Sequence, residues 1–141
     1  MLAILLPASI ERAAADGRFA DSSDFVHLMK IDHRDADEII ITLRVDEGFH
    51  INANPASEPY LIPTTVTVAG IAPDHVSYPP AVRFKPKFSE EPLDVYEGTV
   101  TIVAVSSRAK LEGDRNAQVT VTVQACTDWI CFPPADLTGS P

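Results

Sequence analysis

The chain has 141 residues, 45% apolar and 22% charged, enough for one folded domain with its own core and too few for two. Its 11 basic against 20 acidic residues leave a formal charge of -9, which repels phosphate backbones and anionic lipid surfaces and excludes nucleic acid as a partner. No uncharged apolar run reaches the ~18 residues that cross a bilayer, and two cysteines are too few for a disulfide-built scaffold, so the core must drive folding.

The opening run, MLAILLPASI, has two readings. It is either the remnant of a secretory signal ahead of Ala13, Ala14 and Ala15, or an edge segment that packs Leu2, Ile4, Leu5 and Leu6 on the domain. No positive charge precedes Arg12, which is unusual for a signal and favours a truncated or internal start. Residues 11–20 are Ala-rich and suit a brief helix. The expected division is therefore an N-terminal extension or edge segment over 1–24 and a domain over 25–141.

From Phe25 onward apolar residues recur with period two, the mark of strands with one buried face. A weaker strand is expected over 25–31. Over 37–45, Ile39, Ile41, Leu43 and Val45 share one face, with Thr42 and Arg44 on the other. Alternating Thr and Val predict strands over 65–68, 99–105 and 118–124, where β-branched side chains suit a half-covered pleated surface. Turn formers fill the joints at Asp46-Glu47-Gly48, residues 52–63, Pro73-Asp74, Pro79-Pro80, residues 90–92 and Glu112-Gly113-Asp114. The 12 prolines gather mainly there, where a missing backbone donor costs little. Roughly seven short strands separated by turns describe an all-β, immunoglobulin-like antiparallel sandwich in a single domain.

The chemically pointed segment is Gln124-Ala125-Cys126-Thr127-Asp128-Trp129-Ile130-Cys131-Phe132-Pro133-Pro134. A bond between the sulfurs closes a six-residue loop, worth about 2 kcal/mol in the chain-entropy model against about 4 for a loop of ~50 residues. That is a weak staple. Strand parity puts Cys126 with Thr120, Thr122 and Gln124 on the more polar face, where an attacking thiolate can reach it. Pro133 and Pro134 hold the chain extended straight after Cys131. Three readings stay open: a redox-active pair, an inert local disulfide or two free thiols, and a metal site. The last needs further ligands, and His27, His33, His50 and His75 show no ligand spacing and read as surface or turn histidines. A thioredoxin fold does not fit, because no Cys-x-x-Cys opens a helix here.

This segment resembles the periplasmic N-terminal domain family of the thiol:disulfide interchange protein DsbD. The likeness rests on Gln124-Ala125-Cys126, a short loop carrying Asp128, and Cys131-Phe132-Pro133-Pro134. It extends upstream through Asp46-Glu47-Gly48-Phe49-His50-Ile51-Asn52 and Leu93-Asp94-Val95-Tyr96-Glu97-Gly98, covering about residues 25–134. Better-known members carry five residues between the cysteines and an acidic-Phe-Tyr-Gly cap, whereas this chain has four and lacks the Tyr-Gly. The family also runs a last strand where this chain reaches its final residues, 137–141, which makes the chain read as a fragment of a longer polypeptide.

The resemblance implies a cysteine pair on a hairpin of an immunoglobulin-like fold. It relays reducing equivalents from a membrane electron-transfer domain to thioredoxin-like oxidoreductases in the periplasm of a Gram-negative bacterium. No cofactor or metal is implied, and a monomer is expected. Cys131 is then the cysteine that forms mixed disulfides and Cys126 the resolving one. Phe88, in a cap of residues 87–91, shields the pair, and Trp129 and Phe132 offer either an apolar landing surface or core packing. Asp128 either raises the thiol pKa or caps a turn, and Phe49 and His50 stand where the family sets aromatics beside the cysteines, with packing the better reading for both. The competing reading from another class is a non-catalytic immunoglobulin-like binding module whose disulfide ties a hairpin.

Overall fold

The computed structural model describes residues 18–106 and 117–141. The readings made for residues 1–10, for most of the Ala-rich 11–20 and for the turn at Glu112, Gly113 and Asp114 fall outside the described residues.

In chain order the strands are β1 (Val26–Asp35), β2 (Glu38–Val45), β3 (His50–Asn52), β4 (Thr65–Val68), β5 (His75–Ser77), β6 (Val82–Phe84), β7 (Leu93–Tyr96), β8 (Thr99–Val105), β9 (Val119–Val123), β10 (Ala125–Cys126) and β11 (Ala135–Gly139). A short 3-10 helix, Ser22–Asp24, precedes them. The periodic segments became β2, β4, β8 and β9, and the weak candidate became β1. That strand's pattern is blurred because its register with β2 shifts between Leu28 and Lys30 and again between His33 and Asp35.

All pairings are antiparallel, in three sheets of order β1-β2-β8-β5, β10-β3-β7-β6 and β11-β9-β4. One sandwich layer is the β1-β2-β8-β5 sheet, and the other two sheets lie opposite it. Across the gap Ile39, Ile41, Leu43, Val100 and Ile102 join Val66, Val68, Val119, Val121 and Val123 in a single core, each 5% exposed or less. Burying each such side chain contributes about 1.5 to 3 kcal/mol relative to leaving it in water. This is the antiparallel immunoglobulin-like sandwich that the alternating pattern predicts.

The cysteine-bearing end of the molecule is made where one strand changes sheets. β9 runs beside β4 and β11, the ladder stops at Gln124, and the next two residues pair with β3 as β10. The 3-10 helix clamps this crossing. The Ser22 hydroxyl donates to the Pro133 carbonyl at 2.7 Å and accepts from the Ala125 amide at 2.8 Å, and the Ser22 amide donates to the same carbonyl at 3.0 Å. Asp21 and Asp24 set the helix through a capping box, the Asp21 side chain accepting from the Ser23 amide and the Asp24 carboxylate from the Asp21 amide.

Candidate active site

Cys126 and Cys131 are joined by a disulfide, S–S 2.09 Å with Cα atoms 4.0 Å apart, across an isolated antiparallel bridge. The hairpin that carries them is held by its own backbone. The Phe132 amide donates to the Ala125 carbonyl and the Thr127 amide to the Ile130 carbonyl, both at 2.8 Å. At the tip the Thr127 hydroxyl accepts from the amides of Trp129 at 3.1 Å and Ile130 at 3.2 Å, closing the turn with a side chain that competes well for local backbone donors.

The two sulfurs are not equivalent. Cys126 is 0% exposed, whereas Cys131 is half-buried and is followed by the half-buried Phe132. The expectation that Cys126 lies on the wetter, Thr-lined face is therefore corrected. Parity is lost at Gln124, where the chain leaves one sheet for another, and Cys126 lands on the covered outer face of the β10-β3-β7-β6 sheet. In that sheet Ala125 and Ile51 are cross-strand partners that face the main core, so Cys126 and its partner His50 share the opposite face.

That face carries its own small cluster. Leu61, Leu93 and Val95 are buried there, with Ala56, Phe84, Phe88 and Cys131 packed against them. Phe88 and Cys131 thus rest on the same apolar floor. The segment bearing Phe88 is fastened to the cysteine hairpin, because the Lys87 amide donates to both the Asp128 carbonyl at 2.8 Å and the Asp128 carboxylate at 3.1 Å. Within that segment the Ser89 amide donates to the Pro86 carbonyl and the Lys85 ammonium to the Ser89 carbonyl. Asp128 is accordingly engaged with the cap.

Gln124 explains its place in the motif by what it touches. Its carbonyl oxygen accepts from the Asn52 amide group at 2.9 Å and from the Ile62 backbone amide at 3.0 Å, tying the hairpin to β3 and to the following loop. Phe132 stacks into an aromatic trio, 4.6 Å from Phe25, which itself stacks on Phe49 at 4.1 Å. Trp129, by contrast, is 68% exposed and its neighbour Ile130 54%. The hairpin tip therefore presents apolar surface to solvent.

His50 is not a surface or turn histidine but is packed beside the cysteines, as the second reading expects. It is 3% exposed, its ring centroid lies 4.9 Å from that of Phe84, and its Nε2 has no hydrogen-bond partner. Burial pushes its pKa down to about 4, against a smaller upward pull from the Asp128 carboxylate. Its burial leaves no periodic signature, because the strand that carries it has three residues. Ser22 carries no sequence signal, and Lys87 none beyond its place in residues 87–91, since what they contribute is a hydroxyl and an amide brought to the motif by tertiary folding. Among the described residues no three His, Cys, Asp or Glu side chains gather as metal ligands, and no helix there is long and apolar enough to cross a membrane.

Comparison with known proteins agrees with this geometry. The family model described as thiol:disulfide interchange protein DsbD, N-terminal, matches residues 21–139. The crystal structure of the reduced N-terminal domain of DsbD from Neisseria meningitidis superposes with a TM-score of 0.57 at 14% identity, over 90% of this chain and 91% of that one. The N-terminal periplasmic domain of ScsB from Proteus mirabilis gives the same TM-score at 10% identity, over 87% of this chain and 49% of that one, so the chain spans about half of the ScsB domain. No curated protein sequence matches. With the family model covering all but the ends of the chain and a cysteine pair bonded on a hairpin of an immunoglobulin-like sandwich, the chain belongs to the DsbD N-terminal domain family, whose chemistry is thiol:disulfide interchange.

Proposed function

We propose that Cys126 and Cys131 are the redox centre of a periplasmic relay domain that passes reducing equivalents from a membrane electron-transfer domain to thioredoxin-like proteins. Cys131 is the sulfur that partners meet, and Cys126 is the resolving thiol. The observation that carries this assignment is the burial asymmetry, 0% exposure at Cys126 against a half-buried Cys131 beside the exposed Trp129 and Ile130. An in-line attack on a disulfide needs one accessible sulfur and one leaving sulfur, and this arrangement offers one of each. Phe88 shields the pair on the shared floor of Leu61, Leu93 and Val95, and Trp129 is the docking contact. Phe132 supports docking by bracing the hairpin through Phe25.

The domain is assigned to residues 25–141 and works as a monomer. The extension over 1–24 ends in the 3-10 helix whose Ser22 clamps β10. The relay needs no cofactor.

The test is asymmetric trapping. Reduced Cys126→Ser, offered an oxidised thioredoxin-like protein, accumulates a covalent adduct through Cys131 that no neighbouring thiol resolves, whereas Cys131→Ser forms none. Equal trapping by both variants overturns the role assignment, and trapping by neither overturns the relay.

A further inference from the structure

The buried face that holds Cys126 also holds a base that the exchange chemistry has so far left unused. His50 and Cys126 are direct cross-strand partners of an antiparallel pair, an arrangement that puts Cβ atoms about 4.5 to 5.5 Å apart on one side of the sheet. Two buried side-chain polar atoms on that side lack a hydrogen-bond partner, His50 Nε2 and, two residues along β3, Asn52 Oδ1. A buried acceptor without a donor is costly, about 1 to 3 kcal/mol, and native structures rarely keep one without a use. In the oxidised pair neither sulfur carries a proton. Once the pair is reduced, the Cys126 thiol is the new donor on that face.

We propose that His50 is the proton acceptor for Cys126 in the resolving step, and that it deprotonates a thiol which solvent does not reach. The inference rests on the assignment of Cys131 as the attacking and Cys126 as the resolving sulfur. Cys131 thiolate attacks a partner's disulfide, forming a Cys131–partner disulfide and releasing the partner's first thiolate. Cys126 S–H gives its proton to His50, and the resulting thiolate attacks Cys131 Sγ. The Cys126–Cys131 bond forms, the Cys131–partner bond breaks, and the partner's second thiolate leaves and takes up a proton as His50 returns to neutral. Two electrons pass from the domain's dithiol to the partner's disulfide.

The surroundings suit this role. Phe84 of β6, Leu93 and Val95 of β7 and the Phe88 ring keep the face apolar, and Lys85 and Lys87 of the cap are exposed. The charged group whose field reaches His50 is Asp128 on the hairpin, which favours the imidazolium that forms on proton transfer. Burial keeps the imidazole neutral, so one ring nitrogen carries a lone pair; the same burial weakens it as a base, and the thiolate formed beside it favours the imidazolium that takes the proton. The motif itself contains no Lys, Arg or His, so the cross-strand residue supplies what the local sequence lacks.

The test is rapid mixing of the reduced chain with a chromogenic aryl disulfide, which releases one coloured thiolate when Cys131 attacks and a second when Cys126 resolves. Cys126→Ser retains the first phase and loses the second. Absence of the first phase in that variant overturns the Cys131 assignment without touching His50. In the otherwise unaltered chain, His50→Phe keeps an aromatic ring in place and His50→Gln keeps a polar group. In both, the first phase stays within about threefold of the parent, while the second slows roughly 100-fold near neutral pH. The gap narrows as pH rises past the ordinary thiol range of about 8.5, where hydroxide replaces the missing base. A second phase within about threefold of the parent at every pH overturns the proposal. So does equal slowing of both phases, or slowing that does not vary with pH, since a purely structural role would do that.

Discussion

Removing the Ser22 hydroxyl tests how the cysteine hairpin is anchored. Ser22 is fully buried, and its oxygen is the acceptor for the Ala125 amide, itself on a residue 0% exposed. In Ser22→Ala the Pro133 carbonyl keeps the Ser22 backbone amide at 3.0 Å, so the loss falls on one buried N–H with no acceptor left. An unsatisfied buried donor costs about 1 to 3 kcal/mol, and the lost bond from the hydroxyl to Pro133 brings the expectation to roughly 2 kcal/mol. For a domain of this size that lowers Tm by about 6 °C. The assays are urea and thermal unfolding, with hydrogen exchange at the Ala125 amide as the local probe. Ser23→Ala is the control, because that serine is exposed and its loss should stay below about 0.5 kcal/mol. If Ser22→Ala is no more destabilising than Ser23→Ala, or the Ala125 amide stays fully protected, the clamp does not hold β10.

Three further outcomes concern the buried cysteine face and the hairpin tip above it. Phe88→Ala removes a half-buried ring from the floor it shares with Cys131, so stability falls by about 1 to 2 kcal/mol, less than the 3 to 5 of a fully buried ring, while reduction by a small thiol accelerates several-fold; a stability loss without acceleration reduces Phe88 to packing. The folded pKa of His50 lies at about 4, below the ordinary 6.5, so the unfolded chain binds the extra proton first. Stability is therefore steady above about pH 6.5 and declines by roughly 3 kcal/mol in all as pH falls towards 4. Urea unfolding at two pH values checks this, and His50→Phe should flatten the decline; an unchanged slope refutes it. Trp129→Ala, at a residue 68% exposed, should leave unfolding within about 0.5 kcal/mol and slow mixed-disulfide formation with a thioredoxin-like protein about tenfold, an effect absent with a small disulfide.

What the sequence revealed and what it hid divide along one physical line. Strands β2, β4, β8 and β9 were legible because each buries alternate side chains against the opposing layer, and their apolar period is the direct imprint of that burial. Strands β3, β5, β6 and β10 have three residues or fewer, which leaves no room for a period. Three of them, β3, β6 and β10, join β7 in the sheet that carries the cysteine face. Parity along β9 misplaces Cys126, because one ladder ends at Val123 and another begins at Ala125. The pairing of Cys126 with His50 and the bond from Lys87 to Asp128 join residues that are far apart in sequence. Neither leaves a trace in local composition, whereas the Gln-x-Cys and Cys-aromatic-Pro-Pro pattern does, because the anchor at Gln124 and the aromatic brace at Phe132 need those side chains.

The short loop between the cysteines has a thermodynamic meaning that matches exchange better than stapling. Closing so small a ring removes little entropy from the unfolded chain, about 2 kcal/mol, so opening it costs the folded domain little. The hairpin is also held independently of the sulfurs, by the amides of Phe132 and Thr127 and by the two amides that converge on the Thr127 hydroxyl. Breaking the S–S bond leaves those bonds in place, and the two thiols stay side by side with their backbones already paired. Re-forming the disulfide then requires no search for geometry, only a partner to accept the electrons and a base to take the proton of the buried sulfur. A structural cross-link gains most by closing a long loop in the unfolded chain, which this pair does not do. Here the backbone keeps the ends together in either state, and the pair is left free to open and close.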